Sequence, residues 1–484
     1  MKPSPQPSPA SGRGSDREKQ FINPAIIGGG YAGMAAAVEL ASRGIHVTVF
    51  ESAKQLGGRA RGVHIPNPIR QKEQQHDRPS IQLSPGGGKG DRPLAGDFLT
   101  LDNGQHLLLG CYHETLRLIE RVGGDIERDF LRLPLQLDLH GHFSLKAPYL
   151  PAPFHLLFAL LAAQGLTWKE RMKAAGFMRQ LQGLHFRLPG DMTVSELLAC
   201  FGQDADLALK LWEPLCIAAL NTPIHQASAQ VLLNVLRDAL NRTRADSDML
   251  LPRLDFTALF PQRAAAYVER HGGKVQLSCG VETIVPRDDG IELITAHGRQ
   301  CFSHVICAAA PGAAARLLRP LAGLANTVAR IDSLQQQPIY TVYLQFPATV
   351  GLPQPMLGLH QRTSQWLFDK GRIAGQHGLL AAVISAEGLH QALSQEELAQ
   401  KVIAELHEEF GITAAPLWHK VIAEKQATFC CAPNLQRPPQ TTALTGLLLA
   451  GDYTAGDYPA TLEGAVLSGI RAAALATQDS PQRL

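Results

Sequence analysis

Ala25-Ile26-Ile27-Gly28-Gly29-Gly30-Tyr31-Ala32-Gly33-Met34-Ala35-Ala36-Ala37 is the stretch that decides how the rest of the chain is organised. It predicts a buried strand ending at Ile27, then a G-x-G-x-x-G turn at Gly28, Gly30 and Gly33, then a helix that stops near Gly44. A second apolar strand, Ile45 to Phe50, ends on Glu51. Strand, glycine turn, helix, strand and acidic end in this order make a βαβ unit for a dinucleotide. Gly28 permits the tight turn, Gly30 lets the main chain approach a pyrophosphate, and Gly33 lets helix and strand pack closely. Tyr31 and Ala32 open the helix, whose free N–H groups and partial positive charge suit the phosphates. Glu51 is placed to accept hydrogen bonds from both ribose hydroxyls.

The residues that follow narrow the ligand. Leu56-Gly57-Gly58-Arg59-Ala60 brings a second glycine pair, with Arg59 as a bidentate partner for the pyrophosphate and Gly58 and Ala60 beside it. Spacing alone leaves NAD and FAD both open. The run Glu51 to Ala60, read as E-x-x-x-x-L-G-G-R-A, resembles the flavoprotein superfamily of amine oxidases and phytoene desaturases. That resemblance implies a tightly bound FAD.

Length and composition set the outer bounds. The 484 residues exceed what one hydrophobic core normally serves, and the formal net charge of +2 gives no basic surplus for nucleic acid. The eight cysteines show no CxxC pair and no metal-ligand spacing, so reduced cysteines and no metal are expected. No run of about 18 apolar residues occurs, so no spanning helix is expected. Residues 1–22, rich in Pro, Ser and charge, read as a disordered tail without a signal-peptide core.

The fold class expected is α/β: a Rossmann-like FAD-binding domain of the GR2 type, intertwined with an α+β substrate domain that carries a helical lobe. The cofactor domain takes residues 23–112, 255–335 and 441–478; the substrate domain takes 113–254 and 336–440. Residues 66–97, full of Pro, Gln, Gly and Arg, read as a flexible insertion. Asp129 to Lys146 alternates like a strand pair. Pro338 to Phe346, Leu379 to Ile384 and Trp418 to Thr428 read as further strands of that domain, and Cys301 to Ala308 as the last strand of a β-meander. Thr193 and Glu196 have capping-box spacing. Leu211 to Pro223 reads as an apolar helix broken by Pro214, and with the helix Ala229 to Leu240 it forms a lobe suited either to line a tunnel for a greasy substrate or to be plain core. Phe154 to Leu161 is apolar nearly all round. It is either a buried helix or one lying in a membrane interface, with Trp168, Lys169, Arg171 and Lys173 at the headgroups.

Four pieces together resemble one family closely: the N-terminal fingerprint, Asp102-Asn103-Gly104-Gln105-His106, Pro214 to Pro223, and Gly451 to Gly469. It is the hydroxysqualene dehydroxylase, or squalene-associated FAD-dependent desaturase, family of bacterial hopanoid pathways. The likeness runs from Asn23 to about Leu475, and the insertion departs from it. It implies that Gly104 lies near the flavin and Val281 at the adenine. Gly451 and Asp452 would sit at the ribityl and phosphate part, and Ala460, Thr461 and Leu462 at the flavin edge. It implies conversion of hydroxysqualene, a lipophilic isoprenoid, to squalene. His106, or a water it orients, would protonate the leaving hydroxyl and Asn221 would orient it. Asn221 as a helix C-cap is an equal reading. NAD(P)H or a carrier protein is the expected electron donor. A cytoplasmic location is expected, peripheral on the inner face of the cytoplasmic membrane. A carotenoid or phytoene-type desaturase and a non-catalytic, FAD-holding lipid-binding partner are the alternatives.

Overall fold

The computed structural model describes residues 22–68 and 98–478. Residues 1–21 of the expected tail and 69–97 of the expected insertion lie outside these residues. The βαβ unit forms as its sequence dictates. Pro24–Ile27 is a fully buried strand, Tyr31–Ser42 a helix capped beyond Arg43, and Thr48–Phe50 the second strand. These strands pair in parallel, and three more from distant parts of the chain join them. The sheet order is Lys274–Gln276, Thr48–Phe50, Pro24–Ile27, His304–Cys307, Leu447–Leu449, all parallel. Its strand order reverses between Pro24–Ile27 and His304–Cys307. In a doubly wound sheet the crevice at that reversal is where a ligand binds.

The second large sheet has seven strands. Trp418–Phe429, Gln336–Gln345 and Leu379–Ser385 pair antiparallel, and Trp366–Asp369, Met356–Gly358, Gln136–Leu139 and Phe143–Lys146 continue the sheet. Helices Glu213–Leu220 and Ala229–Leu240 belong to the lobe beside it. Three expectations need correcting. Cys301 to Ala308 is two strands: Gly298–Phe302 closes the antiparallel meander, and His304–Cys307 enters the parallel sheet. Pro214 does not break its helix. The helix runs on without a break through a wide π-turn over Ala208–Trp212 into Glu213–Leu220, and Pro214 sits directly after the widened turn.

The third correction concerns the boundary at residue 113. Helix His113–Arg121 packs with the cofactor domain. The Glu463 carboxylate accepts from the backbone N–H groups of Glu114 and Thr115 and from the Thr115 hydroxyl, which ties this helix to Leu462–Gln478. Leu118, Ile119 and Phe130 share one buried cluster with the first helix. The strand Gly62–Pro66 pairs antiparallel with Phe98–Asp102, Pro66 opposite Phe98, so the chain leaves and returns side by side around the intervening segment. The Thr193–Glu196 capping box is present.

Helix Phe154–Ala162 is neither wholly buried nor free. His155, Leu156, Ala159 and Leu160 face the core, while Phe154 and Phe158 are 54% and 50% exposed. Among the described residues no helix is long and apolar enough to cross a membrane.

Candidate cofactor and substrate site

One cavity of about 650 Å³ runs from the sheet reversal into the space between the two sheets and the helical lobe. Gly28 lies at its head with φ +108°, and a Cβ there would fall 2.7 Å from the Ala308 carbonyl oxygen. Only glycine meets both demands. Gly30 and Gly58 face each other across the mouth, so no side chain fills the space in front of them. Gly30 caps the first helix without a side-chain bond, and no acid stands in that helix's first turn. Its N–H groups are therefore open to an anion.

Glu51 is already oriented: Oε2 accepts from Gly29 N–H at 2.6 Å and Oε1 from Ala53 N–H at 2.8 Å. Arg59 forms an ion pair with Asp452 and donates to the Ala427 carbonyl at 3.0 Å. Two residues nearly 400 positions apart thus close one wall. Asn103 braces it, accepting from Arg61 N–H at 3.0 Å and donating to the Arg59 carbonyl at 2.7 Å. Leu462–Gln478 begins at the cavity, with the Thr461 hydroxyl accepting from Gly464 N–H at 3.1 Å.

The structure brings together nearly all the residues singled out from sequence. Gly28, Gly30, Tyr31, Ala32, Glu51, Gly58, Arg59, Ala60, Gly104, His106, Asn221, Val281, Gly451, Asp452, Ala460, Thr461 and Leu462 all line this cavity. Gly33 does not. It sits behind, where helix meets turn, as a packing glycine would. The far half of the cavity is apolar. Leu220, Leu236, Ile339, Trp366, Phe368 and Val383 contribute to it from helices and strands of the other domain.

The geometry revises both catalytic candidates. Both Asn221 amide hydrogens are committed, one to Thr428 Oγ1 at 2.9 Å and one to the Pro338 carbonyl at 3.3 Å; Oδ1 accepts from Ala386 N–H at 2.7 Å. Its backbone is left-handed, φ +47°, at the end of its helix. Asn221 is therefore a C-cap that pins the lobe to the sheet, with no amide hydrogen left to orient a hydroxyl. His106 packs edge-on against Phe256, ring centroids 4.8 Å apart, and its Nε2 is shielded without a partner. Burial pulls its pKa down to about 4. The imidazole is neutral near pH 7, so it suits aiming a water better than acting as the acid itself.

Sequence reasoning missed several residues. Tyr453 is fully buried, lines the cavity, and its hydroxyl has no partner. Its place after Gly451-Asp452 was the available signal. Trp366 and Phe368 lie in a strand that the sequence did not mark. Asp102 was quoted only as part of its turn, yet burial raises its carboxyl to about 7.

A glycine cradle at a sheet reversal, a bare helix N-terminus and an apolar extension define a two-domain, dinucleotide-binding protein. The chain belongs to the flavin containing amine oxidoreductase family, whose model matches residues 31–477. A hydroxysqualene dehydroxylase of Rhodopseudomonas palustris is 27% identical over 93% of this chain and 97% of its own length. A zeta-carotene desaturase of Synechocystis is 25% identical over 93% of this chain and 96% of its own. Cyclohexylamine oxidase from Brevibacterium oxydans shares the fold, with a TM-score of 0.65 at 17% identity over 95% of this chain and 99% of its own. The chain is an FAD-dependent oxidoreductase. The cradle at Gly28, Gly30 and Gly58 fits the pyrophosphate of that cofactor.

Proposed function

We propose that this enzyme removes the hydroxyl of hydroxysqualene reductively: the carbon gains a hydride, and the hydroxyl takes a proton and leaves as water. The observation that supports it most is the continuity of the glycine cradle with an apolar chamber in one cavity. A relative that carries this activity in its name matches along nearly its whole length. Bound FAD, once reduced by the electron donor, would supply the hydride and end oxidised. The chain's own residues do the rest. Gly28, Gly30, Gly58, Glu51, Arg59 and Asp452 hold the dinucleotide, with Tyr31, Ala32, Ala60 and Val281 along it, and Gly104, Gly451, Ala460, Thr461 and Leu462 at its flavin half. Trp366, Phe368 and Leu236 exclude water from the carbon that loses oxygen. His106, neutral, orients the water that passes the proton.

The test is product analysis. Anaerobic, reduced enzyme incubated with hydroxysqualene yields squalene; no squalene, with desaturation of phytoene or zeta-carotene by oxidised enzyme instead, replaces this reading with the oxidative one. That second reading draws on the zeta-carotene desaturase likeness. Family membership sets aside the non-catalytic lipid binder. Electrons reach the flavin from outside, from NAD(P)H or a carrier protein; reduction by NAD(P)H in a stopped-flow mixing experiment separates the two.

The enzyme works peripherally on the inner face of the cytoplasmic membrane. Tyr149, Phe154, Phe158, Trp168 and Met172 are 84%, 54%, 50%, 64% and 48% exposed within two adjoining helices and the turn before them. Lys169 stands beside them, with Lys173, which pairs with Asp204, and Arg171, which donates to the Leu161 and Leu166 carbonyls. Apolar side chains edged by cations suit an anionic bilayer. Sedimentation with phosphatidylglycerol vesicles should fall at least about tenfold in F158D/W168E, since each buried aromatic contributes roughly 1.5–3 kcal/mol; unchanged sedimentation sinks this contact.

A further inference from the structure

A buried lysine stands behind the polar turn, and the reaction as proposed does not use it. Trp366 and Phe368 of strand Trp366–Asp369 line the cavity, and Lys370 opens the short helix Lys370–Ala374 that follows directly. Lys370 is only 6% exposed, and its Nζ donates to Gln105 Oε1 at 3.1 Å. Gln105, 7% exposed, lines the cavity; its Nε2 donates to the His106 carbonyl at 3.3 Å.

Because Lys370 Nζ donates to it, the Gln105 amide turns its oxygen toward Lys370 and its NH₂ away. One amide hydrogen serves the His106 carbonyl. The other has no protein acceptor among the described residues, on a side chain that lines the cavity, and the N–H donated to the amide oxygen polarises it. Burial lowers the Lys370 pKa. Asp102, 4% exposed and itself raised to about 7 by burial, works against that shift in its ionised form, with Asp255 in the same field. The Asp102 carboxyl is held in turn by Phe256 N–H at 2.9 Å.

We propose that Lys370 is a positioning residue that makes Gln105 a hydrogen-bond donor to the oxygen of an isoprenoid alcohol. The substrate class rests on the proposed function; the amide orientation rests on the geometry alone.

Binding is read from the flavin absorbance change as oxidised holoenzyme is titrated with hydroxysqualene and with squalene. The lysine assignment expects K370M/D102N, which leaves no buried carboxylate facing a missing lysine, to bind the alcohol roughly tenfold more weakly and squalene as before. Gln105→Glu keeps the lysine contact, loses the donor and should show the same selective loss. Lys370→Arg should recover most of the affinity. An equal loss for both ligands, or alcohol affinity within twofold of wild type in both variants, overturns the role of Lys370. If neither ligand perturbs the wild-type flavin, the substrate reading falls and this proposal falls with it.

Discussion

At the dinucleotide end of the cavity the walls are mostly main chain; at the far end they are side chains. Gly28, Gly30, Gly57 and Gly58 present backbone to the cavity, and the N-terminus of helix Tyr31–Ser42 has no side-chain cap over its N–H groups. Leu236, Ile339, Trp366, Phe368 and Val383 enclose the other end, each from a different turn of helix or pleat of strand. A backbone wall tolerates almost no substitution, because its shape is its function. A side-chain wall can be altered one residue at a time, and each change moves fit without moving fold. The two ends should therefore fail differently when mutated.

The largest effect is expected at Gly28. Valine there would need φ +108° and would place its Cβ 2.7 Å from the Ala308 carbonyl oxygen. Gly28→Val should purify without yellow colour and bind FAD at least about a hundredfold more weakly, since backbone strain of 1–3 kcal/mol adds to the clash. A yellow protein with near-normal flavin content would break the contrast between the two ends.

Next comes the ion pair that joins the chain's beginning to its end. Arg59→Met strands Asp452, whose side chain is 7% exposed, and losing one member of such a pair costs about 3–5 kcal/mol when both are deeply buried. Arg59 is itself 28% exposed, so the lower end of that range is the expectation. Thermal unfolding of Arg59→Met, Asp452→Asn and the double variant forms a cycle. The double variant should be more stable than Arg59→Met alone, and FAD affinity should fall in all three. Additive losses would mean that the two groups act separately.

Trp366→Ala sharpens the comparison from the other side. Removing this indole from the apolar wall should raise KM for the lipid substrate roughly tenfold, as expected for losing 1.5–3 kcal/mol of burial, and leave FAD affinity within about twofold. A matching loss of FAD would show the two ends to be one coupled site.

The same contrast explains what the sequence disclosed. A backbone wall needs glycine at fixed spacing, so Gly28, Gly30, Gly58 and Gly451 could be picked out in one dimension, and they meet in three. The side-chain wall has no such signature. Alternation marked Pro338 to Phe346 as a strand, but nothing in it told which face would look into the cavity. Lys370 gave no sign at all, because a lysine in a sequence looks solvated until the fold buries it beside Asp102. Helix His113–Arg121 went to the wrong domain for a similar reason: the Glu463 carboxylate that fixes it lies about 350 residues away. Asn221 was read two ways, and only the positions of Thr428, Pro338 and Ala386 decide for the cap.

The smallest effect is expected at His106, which sits where the two kinds of wall meet. Burial lowers its pKa from 6.5 to about 4, so the folded protein holds it neutral at every pH above that. Unfolded chain binds the proton more readily between these values, so the group withdraws stability as pH falls from 6.5 towards 4 and has no effect above 7. His106→Gln, which keeps a hydrogen-bonding tip, should therefore unfold less steeply in acid than wild type. Its single-turnover rate at pH 7–9 should stay within about threefold, the loss expected for one weakened hydrogen bond. A protonated His106 acting as the acid would instead give a rate that falls tenfold per pH unit above 4, and that limb would vanish in the variant. Rates collected from pH 5 to 9 on both proteins separate the two: a flat wild-type profile keeps His106 as an orienting group, and a falling one that His106→Gln abolishes returns it to the role of acid.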